Sequence, residues 1–322
     1  MRRREFIAGL GSAAVWPLMA RAQQGATPVV AYVNGGSANG DSGFRKGLGE
    51  IGYVEGRNVT VEYHGLNGQY DGLPRLVADL VGRHVAAIAT PFQPAAIVAK
   101  ATTATVPIVF GVAEDPVNLG LVASLARPGG NATGINSFSL EMVAKRLALL
   151  HELVPKAVRV AVLVNPADTR GTETTLRDVQ EAARTIGLQI QVLNASTSRE
   201  IEAAFGTLAR ERPDALFVAG DAFFSSRRVQ FVTLTAFNRI PAAFGTREYV
   251  AVGGMMSYGT SLDDMYRQVG IYTGNILKGA KPADLPVVQS TKFEFVINLQ
   301  TARLLGIDVP ETLLATADEV IQ

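Results

Sequence analysis

The sequence predicts an α/β protein of two Rossmann-like lobes with parallel sheets, joined by a hinge of about three crossover segments. Short apolar strands alternate with longer helical patterns along the chain, which is typical of parallel α/β sheets. The pattern occurs twice, because residues 105–111 (TVPIVFG) resemble residues 239–245 (RIPAAFG) about 134 positions later. Two such modules leave a cleft between them, and clefts between lobes commonly hold small molecules.

The elements of the two halves follow the same order. In the first half, strands are predicted over residues 29–33, 59–63, 86–89 and 108–110, with intervening helices over 42–51, 73–83 and 95–103. In the second half, strands are predicted over 158–164, 190–193, 215–218 and 242–244, with helices over 173–186, 199–212 and 227–238. The strands are continuous apolar runs, which indicates that helices cover both faces of each sheet.

Glycine-rich segments predict where the chain crosses between the lobes. Residues 128–134 (PGGNATG) follow the first module, and residues 252–259 (VGGMMSYG) follow the second. A helix over 262–277, an extended segment over 293–298 and a helix over 299–305 complete the chain. We therefore expect an N-terminal lobe of residues 27–134 plus 256–282 and a C-terminal lobe of residues 135–255 plus 283–322.

The N-terminus predicts an export signal. Three arginines at positions 2–4 precede an apolar run over residues 7–20, and Ala20-Arg21-Ala22 forms a cleavage site. The run is too short to span a membrane. Residues 3–7 (RREFI) also resemble the twin-arginine export signal, the alternative being an Arg-rich secretory signal of the general pathway. By either route, residues 1–22 are expected to be removed and the mature chain exported, with no insertion into the membrane.

The composition of the mature chain excludes several classes of function. Removal of residues 1–22 takes four arginines and one glutamate from totals of 30 basic and 29 acidic residues, which leaves a net charge of −2. Such a surface offers no electrostatic footprint for nucleic acid or anionic lipid. The chain contains no cysteine, which excludes disulfides, thiolate metal sites and catalytic thiols.

One glycine pattern resembles a dinucleotide-binding motif. Residues 47–52 (GLGEIG) match its spacing, but the motif belongs in the turn between a strand and a helix. Here the glycines lie within or at the end of a predicted helix. They are better explained as a small-residue packing face with a glycine cap, and we expect no cofactor.

The residue types that commonly act in catalysis do not occur at the spacing of a known catalytic motif. The three histidines, His64, His84 and His151, are isolated, so no metal site is expected. Ser257 lacks the glycine two residues before it that a nucleophile elbow requires. Glu114 and Asp115 are adjacent, and neighbouring side chains usually point apart. The sequence therefore favours a binding protein over an enzyme.

Polar and glycine-bearing segments follow the predicted strands in both halves. In open α/β sheets, ligands bind at the carboxyl ends of strands, beside helix N-termini. The segments at these places are residues 34–37, 90–93, 111–115, 165–168, 220–224 and 246–248. Their hydroxyl and backbone N–H groups suit a carboxylate, and the phenyl rings suit an apolar or aromatic body. For any single residue of these segments, the alternative to ligand contact is that it caps a helix or forms a turn.

Motifs across the mature chain resemble those of a transport family. They are residues 112–122 (VAEDPVNLGLV), 128–134 (PGGNATG), 257–259 (SYG), 276–282 (ILKGAKP), 285–286 (LP), 298–302 (NLQTA), 305–306 (LG) and 317–321 (ADEVI). In combination they resemble the ABC transporter substrate-binding proteins of the tryptophan/tyrosine-type family. The resemblance implies a type I periplasmic binding protein fold, whose lobes close on a small ligand.

The resemblance also implies a set of ligand contacts. The positions are Ser37, Thr90, Gln93, Val112, Asp115, Asn165, Asp221 and Tyr258. One departure concerns the two residues after Asp221, which in relatives are often Asn and Thr but here are Ala222 and Phe223. The change removes an amide and a hydroxyl from the rim and adds a ring, so an aromatic or apolar carboxylate is as reasonable a ligand as an amino acid.

The resulting expectation is the periplasmic solute-binding component of an ABC importer. It captures an amino acid-like ligand or an aromatic or apolar carboxylate, and its partners are an inner-membrane permease and that permease's ATPase. Two alternatives remain at this point. One is a periplasmic sensor that signals to a receptor, and the other is a two-lobed α/β transferase.

Overall fold

The computed structural model of the protein describes residues 27–36, 42–67, 70–137 and 142–322. The export signal predicted over residues 1–22 and the predicted ligand contact Ser37 lie outside this part of the chain.

Each predicted strand and helix has a counterpart within four residues of its expected bounds. The strands are β1 Val29–Asn34, β2 Thr60–Gly65, β3 Ala87–Thr90, β4 Ile108–Val112, β5 Ala132–Asn136, β6 Arg159–Val164, β7 Gln189–Asn194, β8 Ala215–Val218, β9 Ala242–Phe244, β10 Met256–Thr260, β11 Val288–Gln289, β12 Phe293–Asn298 and β13 Glu319–Ile321. The helices are α1 Ser42–Glu50, α2 Leu73–Gly82, α3 Gln93–Thr102, α4 Val143–Leu153, α5 Thr169–Ile186, α6 Ser198–Glu211, α7 Ala222–Ser226, α8 Arg228–Phe237, α9 Arg247–Val250, α10 Leu262–Leu277, α11 Leu299–Leu304 and α12 Glu311–Thr316.

The N-terminal lobe is a parallel sheet between two layers of helices. Its strand order is β11-β5-β4-β3-β1-β2. Every residue of β3 and β4 is buried, because α2 and α3 cover one face and α1 and α10 cover the other. The carboxyl ends of these buried strands lead directly into polar loops.

The C-terminal lobe repeats this topology. Its strand order is β13-β12-β10-β9-β8-β6-β7, in which β12 runs antiparallel to β10. The order β10-β9-β8-β6-β7 corresponds strand for strand to β5-β4-β3-β1-β2 of the first lobe. The two-lobed parallel α/β architecture predicted from the repeated sequence pattern is confirmed.

The lobe boundaries differ from those expected. Strand β10 pairs with β9 and β12, so residues 256–260 belong to the C-terminal sheet and not to the N-terminal lobe. Strand β11 pairs with β5, so residues 288–289 belong to the N-terminal sheet. The glycine-rich segments form turns within a lobe, with φ angles of 73° at Gly129 and 106° at Gly253. The chain crosses between the lobes only after the next strand, which is β5 in the first case and β10 in the second.

The three crossings between the lobes lie side by side. They follow β5, connect β10 to α10, and connect β11 to β12. The Thr260 hydroxyl donates a hydrogen bond to the Ser137 carbonyl. The Ser261 N–H donates to the Lys292 carbonyl at 3.0 Å. We call these three hydrogen-bonded crossings the hinge.

Each lobe receives one helix from the other half of the chain. Helix α4 follows β5 of the N-terminal sheet, yet Leu147 and Leu150 pack in the core of the C-terminal lobe. Helix α10 follows β10 of the C-terminal sheet, yet Met265 and Val269 pack in the core of the N-terminal lobe. The exchange is reciprocal, because α4 and α10 occupy equivalent places in the repeat.

Glycines allow α1 and α10 to pack closely. A methyl group at Gly47 would overlap the carbonyl oxygen of Arg267, and one at Gly270 would overlap that of Phe44. Of the dinucleotide-like glycine pattern, Gly47 serves helix packing, as its position within a helix predicted, and Gly52, with φ 91°, lies just after the helix.

Candidate ligand-binding cleft

A cleft of about 1050 Å³ lies between the two lobes. Its walls are the loops and helix N-termini that follow β1, β3 and β4 on one side and β6, β8 and β9 on the other. Parallel strands of an open α/β sheet place their carboxyl ends at one edge, and ligands bind there. The cleft lies at this edge of both sheets, and its volume is near the upper end of the range of about 300–1000 Å³ typical of small-molecule sites.

The wall of the N-terminal lobe is aromatic. The rings of Tyr70 and Phe92 lie 4.9 Å apart, centre to centre. A methyl group at Gly35 would lie 2.8 Å from the Phe92 ring, so the glycine allows this ring to cover the chain after β1. The Tyr70 hydroxyl is buried without a hydrogen-bond partner among the described residues. Burial, and then the nearby Asp221 and Asp168 carboxylates of the other lobe, raise the pKa of Tyr70.

Two polar residues of the N-terminal wall reach toward the opposite lobe. The Gln93 side-chain amide donates a hydrogen bond of 3.1 Å to Glu114. The other oxygen of Glu114 lies 3.9 Å from Nη1 of Arg170, at the start of α5 in the C-terminal lobe. The Arg170 side chain is 62% exposed, so this ion pair is screened and contributes at most about 1 kcal/mol. It nevertheless joins the two rims of the cleft.

The wall of the C-terminal lobe contains an aspartate that caps a helix. Asp221 accepts a hydrogen bond from the Phe224 N–H at 2.9 Å, which caps α7, and another from the Asn165 amide at 3.1 Å. Asn165 in turn accepts from the Ser196 hydroxyl at 2.9 Å. Burial raises the pKa of Asp221. These bonds hold both side chains rigidly at the ends of β6 and β8.

A buried arginine also faces this wall. Arg146 of α4 is 3% exposed, and its Cζ lies 4.4 Å from the centre of the Phe217 ring. Its Nε is buried without a hydrogen-bond partner, and no ion pair joins it to the part of the chain that the structure describes. Burial lowers the pKa of Arg146 to about 10. The guanidinium remains charged at neutral pH and lacks a counter-ion in this region.

The sequence reasoning missed Arg146. In the segment 143–153 (VAKRLALLHEL), Arg146 lies at helical spacing from Val143 and Leu150 on the apolar face. A charged residue at a position that helical periodicity assigns to the core was the available signal, because buried charges are rare unless they are paired.

The adjoining residues of the C-terminal wall include an unpaired acid. Glu248 lies in α9, and its Oε2 is buried without a hydrogen-bond partner. Glu248 belongs to the rim segment predicted after β9. No ion pair within the described residues joins it to Arg146. The wall therefore contains an unpaired donor and an unpaired acceptor.

Four of the eight predicted contacts line the cleft, namely Gln93, Val112, Asn165 and Asp221. They come from both lobes and from the ends of β3, β4, β6 and β8. The topology therefore brings together residues that are as far apart in sequence as 93 and 221. Their contact with a ligand remains a prediction.

Three predicted contacts lie elsewhere. Thr90 is fully buried, and its hydroxyl donates to the Phe92 carbonyl at 3.2 Å. Asp115 is exposed and accepts from the Val117 N–H at 2.8 Å, which forms a turn. Tyr258 does not line the cleft and packs edge-on against the Phe295 ring, 6.3 Å between centres. These three side chains are used within the fold.

The described residues hold no group of three or more side chains suited to bind a metal ion. Within the same residues, no helix combines the length and the apolar character that crossing a membrane requires.

Comparison with known proteins gives the family. The profile of the family described as "ABC transporter substrate binding protein" matches residues 28–321. The chain is similar to a tyrosine-binding protein of Clostridioides difficile, with 26% identity over 82% of this chain and 75% of that protein.

The chain is also similar to two solved structures. One is an ABC domain in complex with L-Trp from Streptococcus pneumonia (24% identity, TM-score 0.80, 92% of this chain and 100% of that one). The other is a conserved domain protein from Vibrio cholerae (27% identity, TM-score 0.80, 91% and 99%). The chain belongs to the ABC transporter substrate-binding protein family and has its two-lobed type I periplasmic binding protein fold.

Proposed function

We propose that this chain is the periplasmic receptor of an ABC importer and captures an amino acid-like ligand or an aromatic or apolar carboxylate in the cleft between its lobes. After export and removal of the signal near Ala22, the receptor delivers its ligand to an inner-membrane permease, which works with an ATPase. The ligand is bound and released unchanged.

The observation that carries this proposal is the position of the cleft. Its two walls belong to different lobes, and the three crossings of the hinge are the covalent links between those lobes among the described residues. Bending at hydrogen-bonded crossings of this kind opens and closes such clefts. A ligand that contacts both walls favours the closed arrangement, because its contacts are complete only there.

Two further observations support the ligand class. The relatives named above include a protein named for binding tyrosine and one solved with L-Trp. In this chain, the wall formed by Tyr70 and Phe92 offers ring surfaces to an apolar or aromatic body. Beside Asp221, Ala222 lines the cleft without a polar side chain, which favours a ligand with an apolar body, whereas Phe223 is buried in the core of the C-terminal lobe.

The proposal is tested on the purified mature chain, residues 23–322. L-amino acids, aromatic and aliphatic carboxylates, monosaccharides and primary amines are screened at millimolar concentration by thermal unfolding. A ligand that binds only the folded protein raises the melting temperature by mass action. We expect at least one compound to do so and to be recovered intact.

Small-angle X-ray scattering with the same compound tests closure. We expect the radius of gyration to decrease when the compound binds. A screen in which nothing raises the melting temperature, or conversion of the compound to a product, would contradict the receptor function.

A further inference from the structure

Arg146 is energetically anomalous among the described residues. Its side chain is 3% exposed, its Nε has no hydrogen-bond partner, and no ion pair joins it to a residue that the structure describes. Removing a charge from water is costly unless a counter-ion or hydrogen bonds replace the hydration. The lowered pKa reports this cost, because burial disfavours the charged form. A partner from outside the chain would remove the cost.

The guanidinium is open toward the cleft because Gly245, which lies next to it, lacks a side chain. A methyl group at Gly245 would lie 2.6 Å from Nη1 of Arg146 and 3.8 Å from the Cα of Gly220. Gly220 and Gly245 directly follow β8 and β9, and both line the cleft together with Arg146. The cation is thus accessible from the place where a ligand would lie.

We propose that Arg146 binds the carboxylate of the ligand and makes the cleft selective for small organic carboxylates. The proposal rests on the proposed function, because it places the ligand in the cleft. A guanidinium presents two parallel N–H donors that match the two oxygens of a carboxylate, and this pair is among the strongest hydrogen-bonded ion pairs in proteins. The aromatic wall on the opposite lobe then contacts the rest of the ligand.

A purely structural role for Arg146 makes the opposite prediction. If the stacking of Arg146 on Phe217 holds α4 against the sheet, removing the guanidinium lowers the stability of the ligand-free protein. If Arg146 is a binding residue, its loss removes an unpaired buried charge. The ligand-free protein then becomes as stable or more stable, while the ligand binds more weakly.

The test uses Arg146→Met, which keeps an unbranched side chain over Phe217 without the charge. Binding of the carboxylate that most stabilises the wild-type protein is measured by calorimetry, together with the melting temperature of each ligand-free protein. We expect affinity to fall about 100-fold or more, since truncating one partner of a buried ion pair has effects of this size. Arg146→Lys, which keeps the charge but not the paired donors, should recover part of the affinity.

The control is Arg45→Met. Arg45 also lies over an aromatic ring, with its Cζ 4.9 Å from the centre of Tyr63, but it is 50% exposed and does not line the cleft. Its replacement should leave binding unchanged.

A set of three related compounds tests the ligand class directly. L-tyrosine carries an ammonium and a carboxylate, 3-(4-hydroxyphenyl)propanoate carries only the carboxylate, and tyramine carries only the ammonium. We expect stabilisation by carboxylates and none by tyramine, other amines or sugars. Stabilisation by amines or sugars, or undiminished binding to Arg146→Met, would overturn the role of Arg146 and leave the receptor function intact. Failure of the whole panel would overturn both.

Discussion

The absence of a side chain at Gly245 leaves space for the guanidinium of Arg146 at the cleft. Its Cα lies where the end of β9, the end of β8 and the guanidinium of Arg146 meet. The φ angle of Gly245 is not positive, so the requirement for glycine there is one of space and not of backbone conformation. Any larger residue would occupy the place through which Arg146 reaches the cleft.

Gly245→Ala is therefore expected to weaken binding of a carboxylate ligand about 10-fold with little effect on stability. The new methyl meets the far end of a flexible side chain, so Arg146 moves and the fold does not. Calorimetric binding and urea unfolding of the same variant separate the two effects. Gly220→Ala is the comparison, because its methyl group would have no neighbour within 4 Å. Equal loss of affinity in both variants would argue against this account.

At the scale of the secondary-structure elements, the contact between α1 and α10 depends on small residues. Their contact places Gly47 against the backbone of one helix and Gly270 against the other. A methyl group at Gly49, two residues further along α1, would have no neighbour within 4 Å. The glycines of one short segment thus have different roles.

Gly47→Ala should destabilise the protein by about 3 kcal/mol, because the two helix backbones must separate. Gly49→Ala should stabilise it by about 0.5–1 kcal/mol, because alanine loses less conformational entropy in a helix. Urea unfolding of both variants measures the difference. Similar effects of the two substitutions would show that the helices are not packed through Gly47.

Strand β6 begins on a carboxylate that accepts two backbone hydrogen bonds. Asp214 accepts from the N–H groups of Val158 and Arg159, each at 2.8 Å. These bonds lower the pKa of Asp214, since they favour the charged form. A lowered pKa in the folded state adds stability above the unfolded pKa of about 3.9, and this stability is lost as the pH falls through the folded pKa.

Asp214→Asn should therefore reduce stability at neutral pH and make it less dependent on pH below about 4. The measurement is urea unfolding of both proteins between neutral pH and about pH 3. Parallel pH profiles for the wild type and the variant would show that Asp214 contributes nothing through its ionisation.

The elements themselves could be predicted from sequence because their signals are local. The apolar runs of β3 and β8 and the helical period of α10 depend on residues within a few positions. The pairing of strands into sheets, in contrast, depends on residues that are far apart in the sequence. Nothing near Met256 indicates whether β10 joins one sheet or the other, and its glycine-rich approach resembles a crossing. The internal repeat does indicate which sheet β10 joins, because β10 has the same place in the second module that β5 has in the first.

For the cleft, the sequence predicted which chain segments form its walls but not which side chains of those segments face it. The ends of the parallel strands indicated the right segments, which placed Gln93, Asn165 and Asp221. Within a segment, however, the direction of one side chain depends on tertiary packing, as at Asp115, which forms a turn and does not line the cleft. Arg146 could not be assigned from a strand end, because it reaches the cleft from α4 and passes beneath Gly245.

At the scale of the whole molecule, the two lobes meet through few groups at the mouth of the cleft. Glu114 and Arg170 approach within 3.9 Å, and Ala222 of the C-terminal lobe packs against the core of the N-terminal lobe. Ala222 thus supplies a small apolar contact between the lobes. Weak contacts of this kind allow the hinge to open.

Arg170→Gln should favour the open arrangement and weaken ligand binding about threefold, the effect of losing an exposed ion pair of up to about 1 kcal/mol. The difference from wild type should shrink at about 1 M salt, where charges are screened within about 3 Å. Calorimetry at low and high salt and the radius of gyration of the ligand-free protein give both results. A loss of affinity that is the same at both salt concentrations would exclude an ionic contribution.

The reciprocal exchange of α4 and α10 has a consequence for biosynthesis. A nascent chain that has emerged through β5 carries five strands of the first sheet, but α10 and β11, which cover and extend that sheet, are made about 125 to 150 residues later. During most of translation, α1 is therefore the only one of the two helices on that face of the largely apolar sheet that has been made, and partly exposed surface of this kind promotes aggregation. The N-terminal lobe completes its core only after α10 has been made, so we expect the two lobes to fold together rather than in succession.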